Sequence, residues 1–159
     1  SASPHTNGYS LIRHILGDRP LDVEEPALGA APIDLLLEPH RSYLSDVSRL
    51  MDAGVEIHGM AHITGGGLIE NPPRVLADDV SMHIERDSWE VPALFRWIQR
   101  EGNVSDAEMH RVFNMGVGLL LVVPAHEKDR ILELVETPAW VVGEIRPRSG
   151  DAVTFEPAL

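Results

Sequence analysis

The sequence predicts a single α/β (α+β) domain in which helices flank a sheet of mixed strand direction. Helical and strand-like patterns alternate along the chain, which is typical of such layered folds. No internal repeat with a period of about 20–50 residues is present. The chain has 159 residues, and a domain of that size buries roughly 70% of the surface that its unfolded chain exposes. We therefore treat residues 1–159 as one domain.

The first half of the chain predicts helices around one strand. Apolar residues recur at helical spacing up to Gly17 and again up to Gly54, and glycine commonly follows the last turn of a helix. Prolines interrupt the chain between these two patterns. An apolar run then leads into three glycines and predicts a strand. The predicted elements are a helix over 9–16, a loop over 18–32, a helical turn at 35–37, a helix over 42–53 and a strand over 57–63.

The second half continues the alternation. Val80, Met82 and Ile84 alternate with polar residues, as in a strand. Ser105 and Glu108 have the spacing of a capping box, which marks a helix start. A continuous apolar run over 117–123 predicts a buried central strand. The predicted elements are a helix or turn over 68–76, a strand over 80–84, a helix over 91–100, a helix from Ser105, a strand over 117–123, a helix over 125–135 and strands near 140–145 and 152–155.

The charge balance restricts the possible ligands. The formal net charge is −12, and Lys128 is the only lysine. Nucleic-acid affinity depends mainly on basic side chains that contact phosphates, so we expect no nucleic-acid partner. An anionic ligand would have to be held by backbone N–H groups, a few arginines or a metal ion. The chain has no cysteine, which excludes disulfides and thiolate metal sites.

The sequence gives no sign of membrane insertion or secretion. Its longest apolar run, 117–123, is far shorter than the ~20 residues that span a bilayer. The first residues have neither a basic region nor an apolar segment, so they do not resemble a signal peptide. We expect a cytoplasmic protein without a membrane partner. Because the chain begins without methionine, we also expect it to be a piece of a longer protein.

Three consecutive glycines at positions 65–67 follow the strand predicted over 57–63. Residues without Cβ let successive N–H groups turn inward and form an anion-binding nest. A flexible surface connector is the alternative interpretation. The flanking His62, Thr64 and Asn71 can all hydrogen-bond a ligand, and they favour a binding site. The loop is neither a P-loop nor a dinucleotide fingerprint, because both the Gly-Lys-Ser/Thr sequence and the G-x-G-x-x-G spacing are missing.

Other candidate sites are weaker. His58 and His62 have the four-residue spacing of a helical metal site, but on a strand they lie roughly 13 Å apart, too far for one ion. We therefore predict no metal ligands on this chain. The polar segment 5–10 could be helix capping and turn chemistry alone, with Asn-Gly favouring a positive φ. The segment 113–118 could likewise be a turn that leads into a buried strand.

Three segments together resemble the phosphoribosylformylglycinamidine cyclo-ligase family (aminoimidazole ribonucleotide synthetase), and specifically its C-terminal domain. The resemblance covers nearly the whole chain, and the segments have the family's order and similar spacing. Selenophosphate synthetase, thiamine-monophosphate kinase and the amidotransferase-linked synthetase one step earlier in purine synthesis fit the first and third segments less well. The segments are His5-Thr-Asn-Gly-Tyr-Ser-Leu-Ile-Arg13, Gly59-Met-Ala-His-Ile-Thr-Gly-Gly-Gly-Leu-Ile-Glu-Asn71 with Pro73-Arg74, and Phe113-Asn-Met-Gly-Val-Gly118.

The resemblance implies an ATP-dependent ring closure in purine biosynthesis. ATP would phosphorylate the formyl amide oxygen of formylglycinamidine ribonucleotide, and the amidine nitrogen would then displace phosphate. In the family, ATP and Mg²⁺ are held mainly by an N-terminal domain, which this chain lacks. The resemblance therefore implies an inactive isolated chain, the N-terminal domain as a partner, and a homodimer for the full-length enzyme.

The resemblance also implies site residues, carried over by motif. The glycine loop would bind substrate or phosphate, and the other two segments would face the same cleft. His5 and His62 are the side chains expected nearest the chemistry, without an assigned acid or base role. The expected substrate- or phosphate-binding residues are Asn7, Gly8, Thr64, Gly65, Gly66, Gly67, Asn71, Asn114, Met115 and Gly116.

Two departures and two rival interpretations accompany this assignment. The segment 38–43 has His40 where the family pattern has threonine, and Leu68 stands where an aromatic residue is common. These differences leave His40 without a predicted role. The first rival is another ATP-using member of the same superfamily, of the selenophosphate synthetase or thiamine-monophosphate kinase type. The second is a non-catalytic binding module.

Overall fold

The computed structural model of the protein describes residues 3–159, and this part of the chain contains seven α-helices and five β-strands. The helices are α1 (Tyr9–Leu16), α2 (Pro32–Leu36), α3 (Leu44–Asp52), α4 (Gly67–Glu70), α5 (Ala93–Gly102), α6 (Asp106–Val112) and α7 (Lys128–Leu134). The strands are β1 (Gly59–His62), β2 (Val80–Glu85), β3 (Leu119–Val122), β4 (Gly143–Pro147) and β5 (Val153–Glu156). Three short 3-10 helices lie at Pro72–Val75, Arg86–Ser88 and Ala125–Glu127.

The described chain forms two compact units, each assembled from three separate stretches of sequence. Unit 1 consists of residues 3–40, Ile63–Asn71 and Glu90–Gly118. Unit 2 consists of Arg41–His62, Pro72–Trp89 and Leu119–Leu159.

Unit 1 is helical and contains α1, α2, α4, α5 and α6. Helix α5 supplies four buried side chains, Leu94, Phe95, Trp97 and Ile98, which lie on one face because they recur at helical spacing. Apolar residues of α1, α2 and α6 complete the same core. Phe95 packs against Phe113 with ring centroids 5.8 Å apart. Burying each large apolar side chain of this kind contributes about 1.5–3 kcal/mol relative to its exposure.

Unit 2 contains α3, α7 and all five named strands. Strand β1 pairs antiparallel with β3, so that Gly59 lies opposite Val122. Strand β2 is the centre of a three-stranded sheet, with β4 antiparallel on one side and β5 parallel on the other. A small core of Leu50, Val55 and Ile131 lies where α3 packs on α7.

The predicted mixture of strand directions is confirmed, but the strands are divided between two sheets. The strand predicted over 117–123 is present as β3, but its predicted central position is wrong, because β3 pairs only with β1 among the described residues. Of its four residues only Leu120 is fully buried. Continuous apolar sequence therefore reflects a half-buried strand here, and periodicity alone cannot separate the two cases.

Most predicted helices are confirmed within a few residues. Helix α1 has the predicted bounds, and the N–H of Gly17 bonds to the carbonyl of Arg13. The turn predicted at 35–37 begins earlier, at Pro32, because proline at the first helical position loses no hydrogen bond. Ser105 accepts a hydrogen bond from the N–H of Glu108 at 3.3 Å, as the capping box predicts.

No helix in the described part of the chain has the length and apolar character needed to cross a membrane.

Candidate functional site

Parts of all three motif segments meet within unit 1, to which the second segment contributes only residues 63–71. A Cβ built on Gly65 would lie 2.1 Å from Nδ2 of Asn7, so the first segment packs directly on the glycine loop. A Cβ on Gly8 would lie 2.3 Å from Cε1 of Phe113, which brings the third segment against the first. At Gly8, whose φ is +86°, a side chain would displace the ring of Phe113, whereas at Gly65 only the exposed side chain of Asn7 would have to move. We call residues 5–8, 64–71 and 113–116 the three-segment site.

The glycine loop is a tight turn that continues into α4. The N–H of Gly67 bonds to the carbonyl of Thr64 at 2.9 Å, and Gly66 has φ +97°. This is the positive φ that the third residue of a type II turn requires and that glycine adopts without strain. Gly67 also has a positive φ, +55°, and a Cβ there would lie 2.0 Å from the carbonyl oxygen of His110. The loop is therefore fixed by close backbone packing against the end of α6.

Asn71 holds the two ends of the glycine loop together. It is only 4% exposed, its Oδ1 accepts the N–H of Thr64 at 2.7 Å, and its Nδ2 donates to the carbonyl of Gly65 at 2.9 Å. The predicted ligand contact thus has both of its polar atoms engaged with the loop backbone. In this structure Asn71 determines the shape of the loop.

The glycine loop contains backbone N–H groups without an acceptor in the described part of the protein. Within residues 3–159, the N–H groups of Gly65, Gly66 and Leu68 donate to no protein acceptor. Gly65 and Gly66 are half-buried, and the exposed side chain of Asn7 lies against Gly65. The free N–H groups of Gly65 and Gly66, which no Cβ obstructs, can donate to an oxyanion such as phosphate or carboxylate.

The third segment is a type I′ turn with Asn114 at its first position. The N–H of Val117 bonds to the carbonyl of Asn114 at 2.9 Å, and both central residues have positive φ, +52° at Met115 and +99° at Gly116. A left-handed conformation is uncommon for methionine and carries strain. The buried side chain of Asn114 stabilises the turn, since its Oδ1 accepts the N–H of Gly116 at 2.8 Å and its Nδ2 donates to the carbonyl of Ser3 at 3.0 Å.

The first segment leads into α1. Gly8 has φ +86°, as the Asn-Gly pair predicts, and its carbonyl accepts the N–H of Ile12 at the start of the helix. His5 is only 3% exposed, and its ring lies 4.4 Å from the ring of His40. His40, for which the sequence predicts no role, is therefore the neighbour of a predicted catalytic residue.

His62, the other histidine expected near the chemistry, belongs to unit 2 at the end of β1. Its side chain is exposed and makes an edge-on contact with the ring of Tyr43, with centroids 6.4 Å apart. The two predicted catalytic histidines thus lie in different units. The predicted binding residues are all in unit 1.

Two charged residues at the glycine loop have no role in the sequence-based prediction. A Cβ on Gly66 would lie 3.0 Å from Oε2 of Glu70, so this carboxylate folds back beside the loop. Oε1 of Glu70 lies 3.6 Å from Nε of Arg111 on α6. Glu70 is part of the second motif segment, but its partner lies 41 positions later, and spacing alone does not reveal such a contact.

Comparison with known proteins finds relatives along nearly the whole chain. Residues 1–156 match the family described as AIR synthase related protein, C-terminal domain. The chain is 45% identical over 154 residues to the phosphoribosylformylglycinamidine cyclo-ligase of Nitrosospira multiformis, covering 95% of this chain and 44% of that protein. It is 44% identical over 163 residues to the enzyme of the same name from Cupriavidus metallidurans, covering 97% of this chain and 45% of that protein. The chain therefore spans about half the length of the curated relatives that it matches.

Proposed function

Because the chain belongs to the AIR synthase related protein C-terminal domain family, we propose that it is the C-terminal domain of an ATP-dependent cyclo-ligase. The reaction converts formylglycinamidine ribonucleotide and ATP to aminoimidazole ribonucleotide, ADP and phosphate. The observation that carries this proposal is the meeting of the three motif segments in one site of unit 1. Two relatives at 44–45% identity bear the name of that enzyme.

The proposed chemistry has two steps. The formyl amide oxygen of the substrate attacks the γ-phosphorus of ATP, which forms a C–O–P bond and releases ADP. The amidine nitrogen then attacks the activated carbon, the C–O bond breaks, and phosphate leaves with the oxygen. A protein promotes such steps mainly by positioning the reactants and stabilising charge on phosphoryl oxygens.

Within this scheme the glycine loop is the phosphate-binding part of the chain. The N–H groups of Gly65 and Gly66 supply the donors, and the exposed amide of Asn7 adds a third. Thr64, Gly67 and Asn71 hold the loop in shape through the hydrogen bonds and packing described above. Gly8 and the turn residues Asn114, Met115 and Gly116 keep the neighbouring segments close to the loop.

ATP and Mg²⁺ are assigned mainly to an N-terminal domain of the longer protein, for which we also propose a homodimeric, cytoplasmic state. Residues 3–159 contain no group of three carboxylate or imidazole side chains that could hold a metal ion, so no step is assigned to Mg²⁺ on this chain. We propose His5 and His62 as the side chains nearest the reacting atoms.

The test compares the full-length protein with the isolated chain. We expect the full-length protein to form aminoimidazole ribonucleotide from formylglycinamidine ribonucleotide only when ATP is present, and the isolated chain to form none. Product is measured through its aromatic amine, and ADP is measured in parallel. Selenide and thiamine monophosphate serve as alternative substrates that report the related superfamily activities.

Each alternative outcome of this test supports a different interpretation. Turnover of selenide or thiamine monophosphate in place of the ribonucleotide would assign the protein to another branch of the superfamily. Absence of ATP turnover with every substrate would favour the binding-module interpretation. ATP-dependent cyclisation by the isolated chain would contradict the proposal that it is only part of the enzyme.

A further inference from the structure

Arg111 lies at the end of α6 that packs against the glycine loop. It is the residue after His110, whose carbonyl oxygen approaches the Cα of Gly67 so closely that no Cβ could be accommodated. The position of Arg111 relative to the loop is therefore fixed by backbone contact. Its side chain is 54% exposed and is therefore accessible to a ligand in solution.

The guanidinium of Arg111 lies between two carboxylates without bonding tightly to either. Nε is 3.6 Å from Oε1 of Glu70, and Nη1 is 3.8 Å from Oε2 of Glu108. Both distances exceed those of a hydrogen bond, and within residues 3–159 the group donates no hydrogen bond. Its fork of N–H donors is therefore available for an oxyanion, which it can bind in a bidentate manner.

Glu70 joins the arginine to the loop. Its Oε1 faces Arg111, and its Oε2 lies beside Gly66, whose N–H is one of the free donors. A phosphate bound to the N–H groups of the loop would therefore have a carboxylate as its immediate neighbour. Two negative groups at such a distance repel each other unless a positive charge lies close to both.

We propose that Arg111 is a phosphate-binding residue of the three-segment site, and that Glu70, which lies between the guanidinium and the glycine loop, competes with phosphate for it. This inference rests on the phosphate-binding role of the loop in the proposed function. It assigns opposite effects to two neighbouring charges. Removing Arg111 weakens phosphate binding, whereas removing the charge of Glu70 strengthens it.

The experiment titrates the chain with inorganic phosphate, and separately with ribose 5-phosphate, at constant pH and ionic strength. The amide signals of Gly65 and Gly66 in a nitrogen–proton correlation spectrum report binding at the loop. Ribose without phosphate is the ligand control. The variants are R111A and E70Q. Their matched controls are R96A, whose arginine is equally exposed at 53% and ion-paired to Glu90, and E108Q, which removes the other carboxylate beside Arg111.

We expect R111A to raise the Kd for phosphate about five- to tenfold, since a charge-assisted pair is lost. We expect E70Q to lower the Kd about two- to fourfold at an exposed site of this kind. E108Q should change it less than E70Q, because only Glu70 adjoins Gly66. R96A should leave it unchanged, and its spectrum confirms that the fold tolerates the loss of an arginine.

Failure of this inference is distinguishable from failure of the proposed function. If phosphate shifts the loop signals of the wild-type chain and R111A binds it equally well, the role of Arg111 is overturned and the loop remains a phosphate site. If E70Q weakens binding, Glu70 does not compete with phosphate. If phosphate leaves the loop signals of the wild-type chain unchanged, the phosphate role of the loop fails together with this inference, while the cyclisation assay decides the enzyme activity on its own.

Discussion

Asn71 and Asn114 act on the backbone of the three-segment site. Each is a short amide that accepts one N–H and donates to one carbonyl, and each is almost fully buried. A motif that contains asparagine beside glycine suggests ligand contact when only the sequence is known. The structure shows that the amide stabilises the turn that the glycine permits. A polar residue near a glycine loop can thus shape the backbone, and sequence alone does not distinguish that role from ligand contact.

Replacement of Asn114 by alanine should lower the free energy of unfolding by about 2–4 kcal/mol. The variant leaves the N–H of Gly116 and the carbonyl of Ser3 without their partner in a buried environment, and each such loss costs about 1–3 kcal/mol. Urea denaturation measures the change. Asn7→Ala is the control, because Asn7 belongs to the same site but is exposed, and it should change stability by less than about 0.5 kcal/mol. Equal effects of the two variants would contradict the role given to Asn114.

Replacement of Gly66 by alanine should affect both stability and phosphate binding. The left-handed φ costs an L-residue roughly 1–2 kcal/mol, and the new Cβ would also meet Nδ2 of Asn71 at 2.8 Å and Oε2 of Glu70 at 3.0 Å. Gly150 has almost the same φ, +99°, and no atom within 4 Å of the Cβ position. Gly150→Ala therefore measures the cost of the left-handed φ without a side-chain clash. We expect Gly66→Ala to be the less stable variant by about 1 kcal/mol and to bind phosphate at least about tenfold more weakly.

Phosphate affinity measured on the two variants tests whether the loop is a site. Gly150→Ala should bind phosphate as the wild-type chain does. Unchanged affinity in Gly66→Ala would show that the loop is a connector and that the glycines serve packing alone.

At the scale of secondary-structure elements, Asp46 links α3 to the chain that leaves α7. Its Oδ1 accepts the N–H of Glu136 at 2.9 Å, and its Oδ2 accepts the N–H of Thr137 at 3.3 Å. Burial acts to raise the pKa of Asp46, but the hydrogen bonds from Thr137 and Glu136 and the charge of Arg49 outweigh it, and the pKa is lowered. The carboxylate thus replaces the intrahelical partners that these N–H groups lack beyond the end of α7.

This link should make unfolding sensitive to acid. A carboxyl group whose pKa is lower in the folded state contributes stability above its unfolded pKa, about 3.9, and loses that contribution as the pH falls through the folded value. The stability difference between the wild-type chain and Asp46→Asn should therefore be largest near neutral pH and shrink below about pH 4. Urea denaturation from pH 7 to pH 2.5 measures it. A difference that stays constant over this range would show that Asp46 contributes through shape alone.

The sequence predicts elements well where the signal is local. The bounds of α1, the cap at Ser105 and the positive φ of Gly8 follow from residues within a few positions of one another. The pairing of β3 does not follow from nearby residues, because its partner β1 lies about 60 residues earlier. The apolar run of β3 does not indicate which strand pairs with it. Register and sheet membership depend on such distant contacts.

At the scale of the whole molecule, the sequence predicts which segments form the candidate site but not how they are arranged. The motifs predict the glycine loop and the two accompanying segments, and unit 1 brings all three into contact. The pairing of Glu70 with Arg111 and the bond from Asn114 to Ser3 join residues 41 and 111 positions apart. No local pattern predicts them. The chain also spans about half of its named relatives, so the activity proposed above is one of the longer protein.

The assembly of each unit from three stretches of sequence has a consequence for synthesis. The segments of unit 1 are separated by parts of unit 2, and its third segment ends at Gly118. Domains commonly fold as units while the chain leaves the ribosome, beginning from the N-terminus. Here the type I′ turn that adjoins α1 is translated about a hundred residues after it, so α1 and the glycine loop emerge before the segment that packs against both. The nascent chain must keep them available while about a hundred further residues are translated, and a chaperone that acts before Gly118 emerges would protect the incomplete unit.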